Sequence, residues 1–424
     1  EGYLYLEEAE TGMERLEEIS EQQTENLAAL QGEDMPDILP GQTEMEEQES
    51  DRQEEGQGES ISYFARWTDR YKEAREYLYG TMETESDEEA AHEIMMEEAE
   101  QGNAYAMHDM GKIYAQGIGC EADKEKADVW YKKALAAMHY VEQKKRNTYL
   151  EYRIGKMYQY GLGTDENLEQ AAEWFFKAAV KEHKYALYSL GMLYLQGKGV
   201  EQDEETAYSL LFRSYSKGNP YAAYELGKLY EAGCGTEKNQ EKSENCYRVA
   251  FLGFLNLEKR SKDDTLWYRI GCMYLHGIGT EADETKAEHY LTKASDYGNT
   301  HASYQLARLY IRQESQKLSG ESGTAPDYAK IAKAVKWLEE SAAQENPFAD
   351  YAIGRLYREG TLVAEDMEKA VFHLKRAADA GNSYAQYQLG KIYLEEDTRN
   401  IPAAIQYLTL AAKQKNEFAA YRLG

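Results

Sequence analysis

The chain has 424 residues, 77 acidic and 48 basic, for a formal net charge of -29. A protein this acidic repels nucleic acid and anionic membrane surfaces unless a local basic face overrides the mean. No run approaches the ~20 apolar residues of a membrane span, so no membrane helix is expected.

Residues 1–60 hold 20 of the acidic residues against only Arg15 and Arg52. Within them, residues 31–60 are Gly/Gln-rich and nearly free of aromatics, a composition that cannot bury enough apolar surface to fold. Residues 3–30 carry a weak helical periodicity. The whole of 1–60 reads as an acidic, largely disordered segment or linker. Residues 61–103 read as a degenerate first repeat starting near Trp67, with Asp87 placed to cap a helix and Gly102-Asn103 closing the unit.

From 104 to 424 one phrase returns nine times: a small residue, a Tyr, an aliphatic residue, a Gly, another Tyr. The key positions are Gly111, Gly155, Gly191, Gly227, Gly271, Ala307, Gly354, Gly390 and Gly424, at intervals of 44, 36, 36, 44, 36, 47, 36 and 34 residues. A period in this range marks a solenoid, in which one supersecondary unit is stacked many times. In the first copy Ala106, Met110, Gly111 and Tyr114 recur at helical spacing, and Gly117 and Gly119 break that helix. Asp123 caps a second helix, with Trp130 and Ala134 on its buried side. Capping residues recur at Asn167, Asp203, Asn239, Asp283, Asp366 and Asn400; the seventh unit has Lys330 there, and its helix is expected to start near Asp327. Small residues seven apart, such as Ala171/Ala178 and Ala370/Ala377, let the second helices approach their neighbours closely. Residues 138–149 and 254–265 read as longer polar junctions, and 312–326 as a loop-like insertion.

None of the four cysteines forms a C-x-x-C pair, which fits reduced thiols in a cytoplasmic protein. No His pairs with another His or Cys at metal spacing, so no metal or other cofactor is expected. Five Gly-x-Gly turns follow helices rather than strands, and so belong to the architecture and not to a nucleotide loop.

The repeated phrase, as in YRIGKMYQYGLGTDENLEQAAEWFFKAA (152–179), resembles the Sel1-like repeat, a branch of the tetratricopeptide-type repeats. The resemblance implies an all-α fold: paired antiparallel helices wound into a right-handed superhelical solenoid that scaffolds protein partners, with the first helix of each pair on the concave side. A second resemblance concerns a larger protein. The acidic stretch, then WTDRYKEAREYLYG, then the repeats, is similar to the C-terminal region of mobilisation relaxases of conjugative elements, whose nicking domain lies upstream. The chain begins at Glu1 and stops in mid-repeat, and so reads as a piece of something longer. A secreted β-lactam-binding repeat hydrolase is a third class; its pair of cysteines per repeat is missing here.

The candidate site is a stripe on the first helices. Three residues before the key position stand Tyr152, Tyr188, Tyr224, Tyr268, Tyr304, Tyr351 and Tyr387. One residue after it stand Lys112, Lys156, Lys228, Arg308, Arg355 and Lys391. The two positions are four apart and share a helix face. Such a stripe suits an acidic or phosphorylated peptide, through charge-assisted hydrogen bonds and ring contacts. The competing reading is that the tyrosines pack between units and the cations are only solvated. No catalytic residue is expected. A dimer through the last repeat, where Phe418 and Leu423 would lack a covering helix, is a further expectation.

Overall fold

The computed structural model describes residues 62–79, 87–259, 263–318, 325–395 and 398–423. The acidic segment 1–60 lies outside them. The described residues fall into two compact units. One runs up to Leu266 and also takes Met273–Asp283; the other takes Trp267–Cys272 and the chain from Glu284 on.

The first unit contains α1 (Asp69–Tyr79), α2 (Glu88–Glu100), α3 (Ala104–Gln116), α4 (Lys124–Lys144), α5 (Thr148–Tyr160), α6 (Leu168–Val180), α7 (Lys184–Gln196), α8 (Glu204–Ser216), α9 (Pro220–Ala232) and α10 (Gln240–Glu258). α11 (Asp264–His276) contributes to both units. The second contains α12 (Glu284–Asp296), α13 (Thr300–Leu318), α14 (Tyr328–Ala343), α15 (Pro347–Glu359), α16 (Met367–Asp379), α17 (Ser383–Ile392), α18 (Ile401–Lys413) and α19 (Glu417–Leu423). Among the described residues there is no β-strand, only a bridge between Phe64 and Asn103. Each unit is a stack of helix pairs, and the fold class is an all-α repeat solenoid.

The punctuation is local chemistry. Asp123, Asn167, Asp203, Asn239, Asp366 and Asn400 each accept a backbone N–H from three residues on. Each such cap is worth about 1 kcal/mol. α14 starts one residue after Asp327, whose carboxylate takes the N–H groups of Ala329 and Lys330. Six first helices end on a left-handed glycine, as at Gly161 (φ 64°), where a side chain would be strained.

The key glycine sets how closely the two helices of a pair approach. A Cβ on Gly155 would fall 2.6 Å from the Phe175 ring. The same relation joins Gly111 to Tyr131, Gly191 to Leu211 and Gly354 to Leu374. A second contact joins one repeat to the one before. A Cβ on Gly199 would lie 2.3 Å from the carbonyl of Leu168, the first residue of α6, and Gly235 meets Glu204, the first of α8, in the same way.

The polar junctions differ from expectation. Most of each is helix: α4 runs on to Lys144 and α10 to Glu258. Glu, Gln and Lys are good helix formers, so a polar run after a second helix prolongs it instead of ending it. Residues 312–318 likewise continue α13. The extensions move the stacking contact. Gly163 meets Tyr131 and Gly279 meets Tyr247, seven residues into α4 and α10 rather than at their starts. Seven residues are two turns, a slide of about 10 Å.

These steps expose a longer period. The key glycines Gly111 and Gly155 recur 116 residues on as Gly227 and Gly271. Residues 152–164 (YRIGKMYQYGLGT) and 268–280 (YRIGCMYLHGIGT) agree at nine of thirteen places.

Candidate partner-binding surface

The tyrosines of the stripe are mostly buried. Tyr152 and Tyr224 are 8% exposed, Tyr304 5%, Tyr387 4%, and Tyr268 and Tyr351 2%, while Tyr188 is half-buried. Their neighbours explain why. In five repeats an aromatic stands six residues before the next key position, and the stripe tyrosine meets it. Tyr152 lies 6.1 Å from Tyr185, Tyr188 6.2 Å from Tyr221, Tyr268 6.1 Å from His301, Tyr351 6.2 Å from Tyr384 and Tyr387 6.4 Å from Phe418, centroid to centroid. The rings therefore form a ladder between successive repeats, at spacings where aromatic pairs attract. A ligand does not reach the faces of six of the seven.

The basic residues remain at the surface. Lys112, Lys156, Lys228, Arg308, Arg355 and Lys391 are all half-buried. In four repeats the head sits over the tyrosine one turn back: Lys228 on Tyr224 at 5.7 Å, Arg308 on Tyr304 at 5.8 Å, Arg355 on Tyr351 at 5.9 Å and Lys391 on Tyr387 at 5.7 Å. Lys156 turns forward instead and donates to the Tyr160 hydroxyl at 2.9 Å. Lys228 also pairs with Glu225, and Arg355 with Glu359. In these four repeats the ring thus seats the cation beside it.

Asp109 and Arg153, two before the key positions Gly111 and Gly155, form with Arg75 a network that sequence reading passes over. Arg75 of α1, Asp109 of α3 and Arg153 of α5 are buried together at 1%, 0% and 2% exposure. Asp109 accepts from Arg75 Nη1 at 3.1 Å, from Arg153 Nη2 at 3.1 Å and from the Tyr71 hydroxyl at 2.7 Å. Burial pushes its carboxyl up, but the Arg75 and Arg153 guanidiniums outweigh that and hold it well below the usual range. Two cations face one carboxylate here. Aromatic faces absorb the surplus: Arg75 lies 5.3 Å over Trp67, and Arg153 lies 5.8 Å over both Tyr105 and Tyr149. Burial also raises Tyr71 and Tyr105, so both phenols stay protonated. Arg153 Nη2 is 2.7 Å from His108 Nδ1. An arginine can only donate, so Nδ1 accepts and its 3.1 Å approach to Asp109 is not a hydrogen bond. The available signal was alternation: Arg75, Asp109, Arg153, then Glu225 and Arg269 in the corresponding places of the next 116-residue block.

Other chemistry is sparse. Among the described residues no three His, Cys, Asp or Glu side chains are grouped to hold a metal. No described helix is long and apolar enough to cross a membrane. The four cysteines are free. An open hollow of about 670 Å³ lies between the starts of α8 and α10, lined by Asp203, Glu204, Glu205 and Glu237 among others; like charges without a counter-ion make it a poor anion site.

Paired helices, a glycine under each close approach and a ladder of repeat-to-repeat rings define a helical repeat scaffold. The Sel1 repeat model matches residues 104–137, 149–180, 184–219, 220–251, 268–299, 300–346, 347–382 and 383–416, and the chain belongs to that family. Sel1 repeats generally serve as protein-interaction scaffolds and are typically non-catalytic. Among solved structures, the chain is similar to a protective antigen present in uropathogenic Escherichia coli strains displaying an SLR fold (27% identity, 84% of this chain and 70% of that one, TM-score 0.45). It is also similar to a Sel1 repeat protein from Oxalobacter formigenes (24% identity, 76% and 85%, TM-score 0.40) and to an immunity protein from Pseudomonas aeruginosa (22% identity, 54% and 80%, TM-score 0.34). Comparison with curated proteins gives no match.

Proposed function

We propose that this chain is a non-catalytic scaffold that holds an acidic protein segment along its first-helix face. One observation carries the reading. Lys112, Lys156, Lys228, Arg308, Arg355 and Lys391 share one position of the repeat, and none is fully buried, in a protein whose net charge is -29. Ordered cations give carboxylates and phosphates charge-assisted hydrogen bonds at little entropic cost. The tyrosines support those heads and are not themselves the contact. Capture of partners from the native host cytoplasm tests this: a partner retained by the full chain is lost when Lys112, Lys156 and Lys228 are changed to Glu. Retention by that variant rejects the reading. The free thiols support a reducing, cytoplasmic setting.

A second reading is that these repeats are the C-terminal region of a mobilisation relaxase. The acidic stretch followed by WTDRYKEAREYLYG, which supplies α1, favours it. A nicking domain encoded upstream in the same reading frame is its test; catalysis would then belong to that domain and not to the repeats.

A further inference from the structure

The second helices of the first unit carry a feature that the stripe does not explain. Phe176 and Val180 on α6, Phe212 on α8 and Leu252 on α10 are 59%, 61%, 44% and 59% exposed. They occupy two positions of the repeat, two residues before and two after the second small residue (Ala178, Ser214, Ala250). These positions are one turn apart on one face. The second unit provides an internal control. There the earlier position holds Thr292, Glu339, Lys375 and Thr409, and neither position holds a large apolar residue. The repeat therefore folds without apolar groups there, and their presence on α6, α8 and α10 answers to something else.

The neighbouring residues on α6 and α8 are fixed to each other. Arg213, next to Phe212, donates to the Ala179 carbonyl at 3.2 Å and pairs with Glu182. Val180 is next to Ala179, so that bond sets Phe212 and Val180 on either side of one contact. Phe212 is held by Tyr208 and Tyr215, each 6.1 Å away. Lys177, Lys181 and Arg213 directly follow Phe176, Val180 and Phe212, and Lys217 on α8 and Arg248 on α10 are exposed as well; Lys181 pairs with the buried Glu151. Lys177 is seated on the Trp174 ring at 3.4 Å, and Arg213 and Lys217 share Glu182 in exposed pairs. Exposed pairs of this kind are worth little to folding, so their cations exchange partners cheaply.

We propose that this face docks an acidic amphipathic helix of a partner protein, its apolar side on Phe176, Val180, Phe212 and Leu252 and its carboxylates on the flanking cations. Charge complementarity favours an acidic partner, because Phe176, Val180 and Phe212 are each followed by a cation, and apolar residues one turn apart match the one-sided apolar stripe of a helix. An anionic membrane is the competing occupant, and the vesicle control tests it. This surface is separate from the first-helix row.

The test uses the full chain and a fluorescent synthetic peptide of about 18 residues, leucines at i, i+3 and i+7 spacing and glutamates elsewhere. Controls are a polyglutamate peptide of equal length and phosphatidylserine vesicles. We expect the amphipathic peptide to bind, and the double variant Phe176→Ser, Phe212→Ser to weaken it at least about tenfold. A second double variant, Lys217→Glu with Arg248→Glu, weakens it comparably and guards against a folding artefact in the first. All of these are measured in a background with Lys112, Lys156, Lys228, Arg308, Arg355 and Lys391 changed to Gln, so that the first-helix row takes up no glutamates. Equal binding by polyglutamate, indifference to both double variants, or binding of vesicles instead overturns the proposal. So does concentration-dependent dimerisation that the Phe176, Phe212 variant abolishes, because a second copy then covers the face.

Discussion

Arg153 on α5 reaches Asp109 on α3 at 3.1 Å, and neither side chain meets water. The two residues hold the same position in consecutive repeats, at a junction where the stacking contact has slid by two turns. At this junction a fully buried charge pair joins the ring contacts, flanked by Tyr105 and Tyr149 at 5.4 Å. A buried pair of this kind selects one register more than it stabilises the fold.

Asp109→Ala is therefore expected to be worse than Arg153→Met. The first leaves two buried guanidiniums without a counter-charge, at a cost on the order of 3–5 kcal/mol. The second leaves Arg75 paired with Asp109 and fills the space with apolar atoms. Urea unfolding of the full chain, followed with hydrogen exchange over α1 to α5, orders the two. Equal losses would mean that the network acts by shape alone.

The ladder tyrosines act on stability. Tyr268→Ala and Tyr351→Ala are expected to cost about 3–5 kcal/mol each through the cavity they leave. Tyr188→Ala, at a half-buried site, costs less. Thermal melts check the order. Loss of a partner in a tyrosine-to-alanine variant then reports a damaged stack, and the cations are the better probes of binding.

Gly199 and Gly218 both have positive φ, 67° and 78°, but different surroundings. Gly218 faces open space, so Gly218→Ala costs only the left-handed backbone, about 1–2 kcal/mol. At Gly199 the added methyl meets the Leu168 carbonyl, and two repeats must part. Gly199→Ala is expected to cost at least about twice as much. Paired denaturation curves measure the difference.

His183 caps α7, its Nδ1 accepting the Ala186 N–H at 3.2 Å. Burial, helped by Lys184, holds its pKa down at about 3 against an ordinary 6.5. A base whose folded pKa is depressed binds fewer protons folded than unfolded. Its contribution is whole above about pH 6.5 and is lost as pH falls toward 3, amounting to about 2–3 kcal/mol by about pH 4.5. His183→Asn keeps an N-cap without a titrating ring, and should flatten this part of the stability profile. Urea midpoints at neutral pH and about pH 4.5 decide it.

Much of the fold was legible because its signals are local. Caps such as Asp203 and breaks such as Gly161 work within four residues, and the 36-residue beat recurs in plain view. The helical course of 138–144 was not, because a Lys- and Gln-rich run suits either a loop or a prolonged helix. Arg153 and Asp109 were missed because charged residues at core positions break the apolar pattern that marks a core. The second aromatic row, Tyr105, Tyr149, Tyr185 and Tyr221, was hidden among 37 tyrosines, several of them in other positions of the same repeat. Which tyrosines face water depends on the neighbouring repeat, and no single repeat encodes that.

The most direct test of the scaffold reading is the salt-dependent affinity of the full chain for a phosphorylated or glutamate-rich peptide, beside a variant with Lys112, Lys156, Lys228, Arg308, Arg355 and Lys391 all changed to Gln. The account predicts measurable binding that weakens steeply as salt rises and is lost in the variant, with both proteins melting alike. Binding that is indifferent to salt and retained by the variant would contradict it.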